Sequence, residues 1–215
     1  MDLKIIYEDE QLLVCYKPAG VATQTKRLGQ QDMESLLKNN RASKGEPSYI
    51  GVVHRLDQPV EGVMVFAKTK EAASDMSRQV QMKEADKFYY AVTDGVPVEK
   101  TGSLEDYLLR DGRTNTSKVV KEGTAGAKKA RLSYEVLAED GTHAILKIQL
   151  DTGRHHQIRV QLANAGYPIV GDRKYNADSS ATLGDHLKLC SYKIGFVHPK
   201  THKKMEFEIE NPYAC

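Results

Sequence analysis

The stretch GVVHRLDQPVEGVMVFAK, residues 51–68, is the most informative part of this chain. A short apolar run leads into a polar loop, and a second apolar run, Val63–Ala67, leaves it. The pattern predicts a loop between two strands that carries one carboxylate, Asp57, two residues after Arg55. Loops on a rigid scaffold often carry catalytic groups. The local pattern alone nevertheless favours a plainer interpretation, in which Asp57 caps the turn or pairs with Arg55.

The composition is that of an ordinary folded protein. Of the 215 residues, 40% are hydrophobic and 28% are charged, which is typical of a globular chain with a core. No apolar run is long enough to cross a membrane, and the N-terminus lacks the pattern of a signal peptide. We therefore predict a cytoplasmic protein without a membrane segment. No Pro/Ser-rich linker or internal repeat divides the chain, so residues 1–215 are expected to form one domain.

The three cysteines, Cys15, Cys190 and Cys215, are odd in number, far apart and outside any C-x-x-C pattern. This spacing supports neither a disulfide framework nor a zinc ribbon, and we expect reduced thiols. No cysteine has a local sequence that would stabilise a thiolate, so none is expected to be catalytic.

The net charge of +2 is unevenly distributed along the chain. Residues 1–109 contain 14 Lys and Arg against 17 Asp and Glu, whereas residues 110–215 contain 17 against 12. The segment Arg110–Arg131 is strongly basic, with seven Lys and Arg against two acidic residues. A segment rich in Gly and Lys fits a solvated loop as well as a surface that binds phosphate groups. In the second case the candidate contacts are Lys118, Lys121, Lys128 and Lys129.

Hydrophobic patterns predict more strands than helices. The predicted strands cover residues 3–7, 11–16, 63–67, 87–92, 132–137, 144–150, 187–197 and 203–209. The predicted helices cover residues 32–37, 69–84 and 155–165. Because the strands occur in runs rather than in strict alternation with helices, we predict an α+β fold with a largely antiparallel sheet. In the second helix, Ala72, Met76 and Val80 are expected to form the buried stripe.

A second informative stretch, Thr152–Val160, carries two histidines and two arginines. If it is helical, His155 and His156 can each share a face with Arg159, while the two rings point about 100° apart. The chain has neither an H-E-x-x-H motif nor a cluster of cysteines, and we therefore predict no metal site. The arginines fit either a solvated helix face or a fork for a carboxylate or phosphate.

Several motifs follow one another in a characteristic order. They are His54-Arg55-Leu56-Asp57 with Gly62, Lys87-x-Tyr89-x-Ala91, and Gly153-Arg154-x-His156-Gln157-Ile158-Arg159-Val160 followed by Gly166-x-Pro168-Ile169-x-Gly171-Asp172-x-x-Tyr175. With the opening Lys17-Pro18-Ala19-Gly20, they resemble the RluA-type family of RNA pseudouridine synthases. The resemblance extends from about residue 3 to about residue 210 and rests on the set of motifs rather than on any single one.

The resemblance implies the pseudouridine synthase catalytic fold, in which an active-site cleft crosses a mixed, largely antiparallel central sheet flanked by helices and loops. It implies conversion of uridine to pseudouridine in structured RNA, ribosomal or transfer RNA, without a cofactor or a metal. In the family pattern Asp57 supplies an ionised carboxylate beside the ribose, and Tyr89 stacks on the uracil. Arg159 pairs with Asp57 and keeps it ionised in a site closed around a base.

The resemblance also implies residues that contact RNA. Arg55 fills the gap left by an extruded base or holds a phosphate, and His54, Arg154 and His156 are further candidates. We expect the protein to act as a monomer. The catalytic pattern begins almost at the first residue, so we expect that the small S4 RNA-binding domain of many relatives is absent.

Some positions depart from the family pattern. Val60-Glu61 stands where the family usually has Thr-Ser, and His155-His156 stands where it commonly has Thr-His. Gln161-Leu162 replaces the family's His-Leu. The residues matched to the chemistry are intact, so these departures concern substrate contacts and leave the RNA target open.

Two other functions fit the same residues less well. An RNA-binding or RNA-folding protein on the same scaffold, with incidental or lost isomerase activity, would not need Asp57, Tyr89 and Arg159 together. A glycosidase-like hydrolase usually needs two carboxylates beside the bond, and the Asp57 motif offers only Glu61 as a second acid. We therefore rank an RNA pseudouridine synthase first. Release of tritium from [5-³H]uridine in RNA would separate it from the first alternative.

Overall fold

The structure is a computed structural model that describes residues 3–25, 27, 29–176 and 186–214. The chain divides into two compact units, each made of two segments. Unit 1 contains the described residues of 1–87 and 191–210, and unit 2 contains those of 88–190 and 211–215. The single catalytic domain expected over residues 1–215 stays a prediction. In the described part of the chain, no helix is long and apolar enough to span a membrane.

Eleven strands and three helices are described. In chain order they are β1 (Lys4–Glu8), β2 (Leu12–Lys17), α1 (Met33–Ser43), β3 (Gly51–Val52), β4 (Glu61–Ala67), α2 (Lys70–Gln81), β5 (Asp86–Asp94), β6 (Thr101–Asp111), β7 (Thr116–Val120), β8 (Lys128–Glu139), β9 (His143–Leu150), α3 (Gln157–Asn164), β10 (Leu189–Val197) and β11 (Lys204–Glu208). The α+β class and the largely antiparallel sheet predicted from the sequence are confirmed.

In unit 1 the strand order is β1-β2-β4-β10-β11, with β3 paired to β4. The pairs β1–β2, β2–β4, β3–β4 and β10–β11 are antiparallel. The core packs α2 on this sheet, and its fully buried members include Val14, Val65 and Met76. Most of the predicted strand positions in this unit are confirmed, because their apolar runs are buried between layers.

Helix α2 confirms the predicted buried stripe. Its first turn is capped by Thr69, whose hydroxyl accepts from Ala72 N at 3.1 Å. Ala72 and Met76 are buried, and Val80 packs against the same core with part of its surface exposed. Helix α1 runs to Ser43, well beyond the predicted end at residue 37. The prediction stopped too early because the second half of the helix is polar and shows no periodic apolar residues.

In unit 2 the strand order is β5-β9-β8-β6-β7, and every neighbouring pair is antiparallel. Helix α3 packs on one face of this sheet, where Val160 contacts Leu108 and Ala130. We call this the α3 face and the opposite one the outer face. Because side chains alternate along a strand, the register assigns each residue to one of the two. Residues on the outer face, such as Glu105 and Arg131, are exposed.

The solvated loop, one of the two alternatives for Arg110–Arg131, is not what the structure contains. The segment contains the end of β6, all of β7 and the start of β8, and its glycines lie in the turns between them. Strand β7 has the sequence Thr-Ser-Lys-Val-Val, with three polar residues before two valines, and it lies at the end of the strand order. A single polar edge strand of this kind lacks the apolar run on which the other strand predictions rested.

Replacing Gly62 with alanine is expected to destabilise the protein by at least about 3 kcal/mol. Gly62 has a φ of 125°, and a Cβ at this position would lie 2.1 Å from Ser191 O and 2.6 Å from Ser191 N. Both atoms are backbone, so the strain cannot be relieved by a rotamer change. Urea unfolding measures the loss. The control Gly141→Ala has a φ of 87° and meets no described atom within 4 Å, so it should cost only about 1 to 2 kcal/mol. Equal losses would contradict the steric argument.

Candidate active site

Asp57 lies in unit 1, in the loop of residues 53–60 between β3 and β4. A turn follows it directly, because Val60 N donates to Asp57 O at 3.0 Å. Asp57 is partly buried, and Arg55 is exposed. The predicted loop is therefore present, and Arg55 has the exposure that its predicted RNA contact requires.

Both neighbours of Asp57 are bonded to the segment 17–23. Thr23 Oγ1 donates to Leu56 O at 2.9 Å, and Leu56 N donates to Thr23 Oγ1 at 3.2 Å. Gly20 N donates to Gln58 O at 2.9 Å, and Gln58 Nε2 donates to Gly20 O at 2.9 Å. Two reciprocal pairs thus hold the backbone on each side of Asp57, which limits the positions that its carboxylate can take.

Lys17 also holds the Asp57 loop. Its side chain is fully buried, which is unusual for a lysine. Its Nζ donates to three backbone carbonyls at 3.0, 2.6 and 3.1 Å, those of Pro18, Val21 and Gln58. Burial lowers the pKa of Lys17 to about 8, and the charges of Asp57 and Glu61 oppose this shift. The buried amine is satisfied by carbonyl oxygens and ties the Asp57 loop to the segment 17–23 through Gln58 O. The sequence showed its motif but not this role.

Replacing Lys17 with methionine is expected to change how stability depends on pH. The pKa of a lysine in an unfolded chain is about 10.4, above the folded value of about 8, so the unfolded state binds more protons between these values. The contribution of Lys17 to the free energy of unfolding is therefore lowest below pH 8 and rises by about 3 kcal/mol towards pH 10.4.

Urea unfolding of both proteins across this pH range tests the prediction, because the stability difference between wild type and Lys17→Met should widen as the pH rises. The control Lys203→Met removes an exposed lysine and should give a nearly constant difference. A constant difference for Lys17→Met as well would contradict the prediction.

His54 accepts a hydrogen bond within unit 1. Val65 N donates to His54 Nε2 at 3.1 Å, so this nitrogen accepts and the loop is tied to β4. Burial lowers the pKa of His54 to about 3, and the positive charge of Lys87 acts in the same direction. The ring is therefore neutral at physiological pH. Its predicted contact with RNA stays a prediction, and the ring would make it without a positive charge.

Tyr89 lies in unit 2 on β5, opposite Ile148 of β9. It is buried, with 7% of its surface exposed, and lies on the α3 face. Tyr90 pairs with Lys147 and lies on the outer face. The two tyrosines therefore occupy opposite faces of the sheet, whereas stacking of Tyr89 on a uracil stays a prediction.

Arg159 lies on α3 and is almost fully buried. Its Nε donates to Asp172 Oδ2 and its Nη2 to Asp172 Oδ1, both at 2.7 Å. The guanidinium carbon lies 5.2 Å from the centre of the Tyr175 ring. Of the two predicted alternatives, a solvated face and a carboxylate fork, the fork is present. The predicted pairing of Arg159 with Asp57 would join residues of the two units and stays a prediction.

The partners of Arg159 are themselves held in place. Asp172 Oδ1 accepts from the backbone N of Lys174 at 3.0 Å and of Tyr175 at 3.3 Å. Tyr175 OH accepts from Ser117 N of β7 at 2.7 Å and bonds to His156 Nδ1 at 2.8 Å. The motif that carries Asp172 and Tyr175 was visible in the sequence, but nothing in it linked these residues to Arg159.

The expected helical geometry of His155 and His156 is wrong. Helix α3 begins at Gln157, and His156 has a left-handed φ of 54°. The two rings do not diverge but stack, with centroids 3.8 Å apart. Ser117 Oγ bonds to His155 Nδ1 and donates to His155 O, both at 2.9 Å. These bonds hold His155 in a turn before the helix, which begins at Gln157. His156 is buried, and its predicted RNA contact stays a prediction.

The four lysines proposed as an RNA surface do not form one surface. Lys118 and Lys129 lie on the outer face, as their pairing with Leu109 and Tyr107 shows, whereas Lys128 lies on the α3 face. The fourth, Lys121, lies in the turn after β7. Lys129 Nζ also forms an ion pair with Glu105 at 2.7 Å. The predicted candidate Arg154 is exposed, and its Nε donates to the carbonyl of Lys129 at 2.9 Å.

Metal ligands and thiols are the remaining candidate groups. Within the described ranges, no group of three or more His, Cys, Asp or Glu side chains is placed to hold a metal ion. Burial raises the pKa of Cys15 to about 12, which makes it a poor nucleophile. Cys215 lies outside the described residues.

Comparisons with known proteins point to one family. The sequence profile of the RNA pseudouridylate synthase family matches residues 11–164, a range that includes Asp57, Tyr89 and Arg159. An RNA pseudouridine synthase of Aquifex aeolicus is 35% identical, over 98% of this chain and 70% of that protein.

Two further relatives and one solved structure are similar over most of the chain. Ribosomal large subunit pseudouridine synthase D of Neisseria meningitidis is 32% identical over 99% of this chain and 59% of its own length. Dual-specificity RNA pseudouridine synthase RluA of Vibrio parahaemolyticus is 32% identical over 92% of this chain and 79% of its own. The structure of human RNA pseudouridylate synthase domain containing 4 has the same fold, with a TM-score of 0.80 and 22% identity over 98% of this chain and 89% of that one.

Proposed function

The chain belongs to the RNA pseudouridylate synthase family, and from this premise we propose that it isomerises a specific uridine in ribosomal or transfer RNA with Asp57 as the catalytic carboxylate. The family makes the protein an isomerase that acts on uridine in RNA. The observation that supports Asp57 is the loop around it, in which both neighbours are bonded to the segment 17–23. A carboxylate held in this way is oriented before the substrate arrives.

The reaction explains why a single carboxylate is enough. The bond between N1 of the uracil and C1′ of the ribose breaks, the uracil turns, and C5 forms the new bond to C1′. Substrate and product contain the same atoms, so the balance requires no oxidant, reductant or energy source. Asp57 would either attack C1′ or remove the proton from C2′, and both routes need the ionised form.

Two residues of unit 2 complete the proposed set. Tyr89 would stack on the uracil and take part in the late proton transfer from C5. Arg159 would hold the carboxylate of Asp57, and its fork is already oriented by Asp172 through Nε and Nη2. Arg159 is thus a positioning residue that acts on the charge of Asp57.

The names of the relatives suggest the first RNAs to test. One is a synthase of the large ribosomal subunit and another has dual specificity. We propose ribosomal RNA as the first candidate and transfer RNA as the second, with the protein acting as a monomer in the cytoplasm. The test is pseudouridine mapping in both RNA classes from a strain without the gene, followed by tritium release from [5-³H]uridine-labelled transcripts of each. An RNA-folding protein without isomerase activity would release no tritium and leave every pseudouridine in place.

A further inference from the structure

A group of cations lies at the turn between β6 and β7. We call Arg110, Arg113 and Lys174 the Asn115 cluster, because the first and the last bond to Asn115 from different segments. Arg110 Nη2 donates to Asn115 Oδ1 at 3.2 Å, and Lys174 Nζ donates to the Asn115 carbonyl at 2.7 Å. Arg113 is exposed in the same turn. Two positive side chains are therefore held beside one neutral residue.

The two carboxylates near this cluster, Asp111 and Asp172, are bonded to other groups. Asp111 bonds to the backbone of its own turn, since its Oδ1 accepts from Arg113 N at 2.8 Å and from Thr114 N at 3.4 Å. Asp172 is engaged by Arg159. Among the described residues, no cation of the Asn115 cluster forms an ion pair with a carboxylate, whereas Lys129 and Arg131 on the same sheet do. Exposed cations that form no ion pair favour an anionic partner.

The cluster lies on the side of unit 2 that carries the proposed catalytic residues. Arg110 pairs with Ser117 across β6 and β7, and Ser117 bonds to His155 just before α3, so both lie on the α3 face. Tyr89 lies on this face as well. Lys174 belongs to the turn that fixes Asp172, the partner of Arg159. By contrast, Lys118 and Lys129 lie on the outer face.

We propose that the Asn115 cluster binds phosphates of the substrate RNA next to the uridine that is modified. The inference rests on the proposed function, because it takes the partner from the reaction. Three exposed cations, Arg110 near the end of β6 and Arg113 and Lys174 in turns, fit a phosphodiester backbone, in which successive phosphates lie along the surface. The Asn115 cluster takes the place of the four lysines predicted from the sequence as the RNA-binding group. The choice follows from the face of the sheet on which a cation lies, because Arg110 lies on the α3 face and Lys118 and Lys129 lie on the outer face.

The test compares two triple variants that remove the same charge. One is Arg110→Ala with Arg113→Ala and Lys174→Ala, and the control is Lys118→Ala with Lys121→Ala and Lys129→Ala. The probe is a [5-³H]uridine-labelled transcript of large-subunit ribosomal RNA, or of the transfer RNA identified by mapping. Filter binding at several salt concentrations gives the slope of log K against log salt, and tritium release gives KM and the single-turnover rate.

The cluster variant is expected to lose about two to three units of salt slope, at about 0.7 to 0.9 per lost contact. Its KM should rise at least about tenfold while the rate at saturating RNA changes little, because the cluster positions RNA without touching the reacting base. The control should keep most of its slope. The variant Arg110→Lys with Arg113→Lys retains the charge and should bind almost like wild type, which separates lost phosphate contacts from a damaged turn.

Equal losses in the two triple variants would overturn the proposal, because the effect would then be one of net charge only. An unchanged slope in the cluster variant would overturn it as well. Failure of the proposed function has a different signature. In that case wild-type protein releases no tritium from any of the transcripts, whatever the slopes of the variants.

Discussion

Asp57→Asn is expected to lower the single-turnover rate of pseudouridine formation by at least about 1,000-fold. Asparagine has the same shape but no negative charge, so it can neither attack C1′ nor remove the C2′ proton. The loop should keep its conformation, because it is held through Leu56 and Gln58 rather than through residue 57 itself. Tritium release with enzyme in excess over RNA measures the rate, and thermal unfolding and RNA binding should stay close to wild type.

Glu61→Gln is the matched control. Glu61 is the other carboxylate of the same motif, and its Oε2 accepts from Tyr16 OH at 2.6 Å. We expect only a small loss of rate, since the residue stands at the start of β4 with its own partner. A rate for Asp57→Asn within tenfold of wild type would remove Asp57 from the mechanism. Equal large losses in the two variants would instead favour a reaction that uses two carboxylates.

Much of this fold could be predicted because its apolar runs have clear periods. The buried strands β2 and β4 and the stripe of α2 follow directly from patterns that local sequence shows. The family and its reaction were also predictable, because three spaced motifs occur in one order. The strand β6 was missed because polar residues such as Thr101, Ser103 and Glu105 alternate along its outer face.

The rest depended on contacts between distant residues. The bonds of Lys17 to Gln58 and of Arg159 to Asp172 connect positions 41 and 13 residues apart, and no local rule relates them. His155 and His156 show the same limit, because their departure from the helix follows from bonds to Ser117 and Tyr175. The sequence could thus identify the chemical groups of the candidate site, but not the residues that hold them.

Arg159→Lys is expected to lower the single-turnover rate by about 100-fold, the cost of a small misplacement at a reacting centre. Asp172 fixes both Nε and Nη2 of Arg159 at 2.7 Å, which orients the plane of the guanidinium. Lysine keeps the positive charge but offers a single nitrogen and cannot bind Asp172 through two parallel bonds. The charge would remain near its place while the direction of its hydrogen bonds would be lost.

The readout must separate positioning from stability, since Arg159 and Asp172 form a buried pair. Thermal unfolding, RNA affinity and tritium release are therefore measured together, with Arg55→Lys as the control for an exposed arginine on the Asp57 loop. For Arg159→Lys we expect a folded protein that binds RNA normally, reacts slowly and keeps the same rate deficit at saturating RNA, because the step affected is chemical. Asp172→Asn should reproduce much of this deficit, since it loosens the same fork while Arg159 itself is unchanged. An unchanged rate constant for Arg159→Lys would show that the orientation of this guanidinium does not matter to the reaction, and the pair would then serve only the packing of α3.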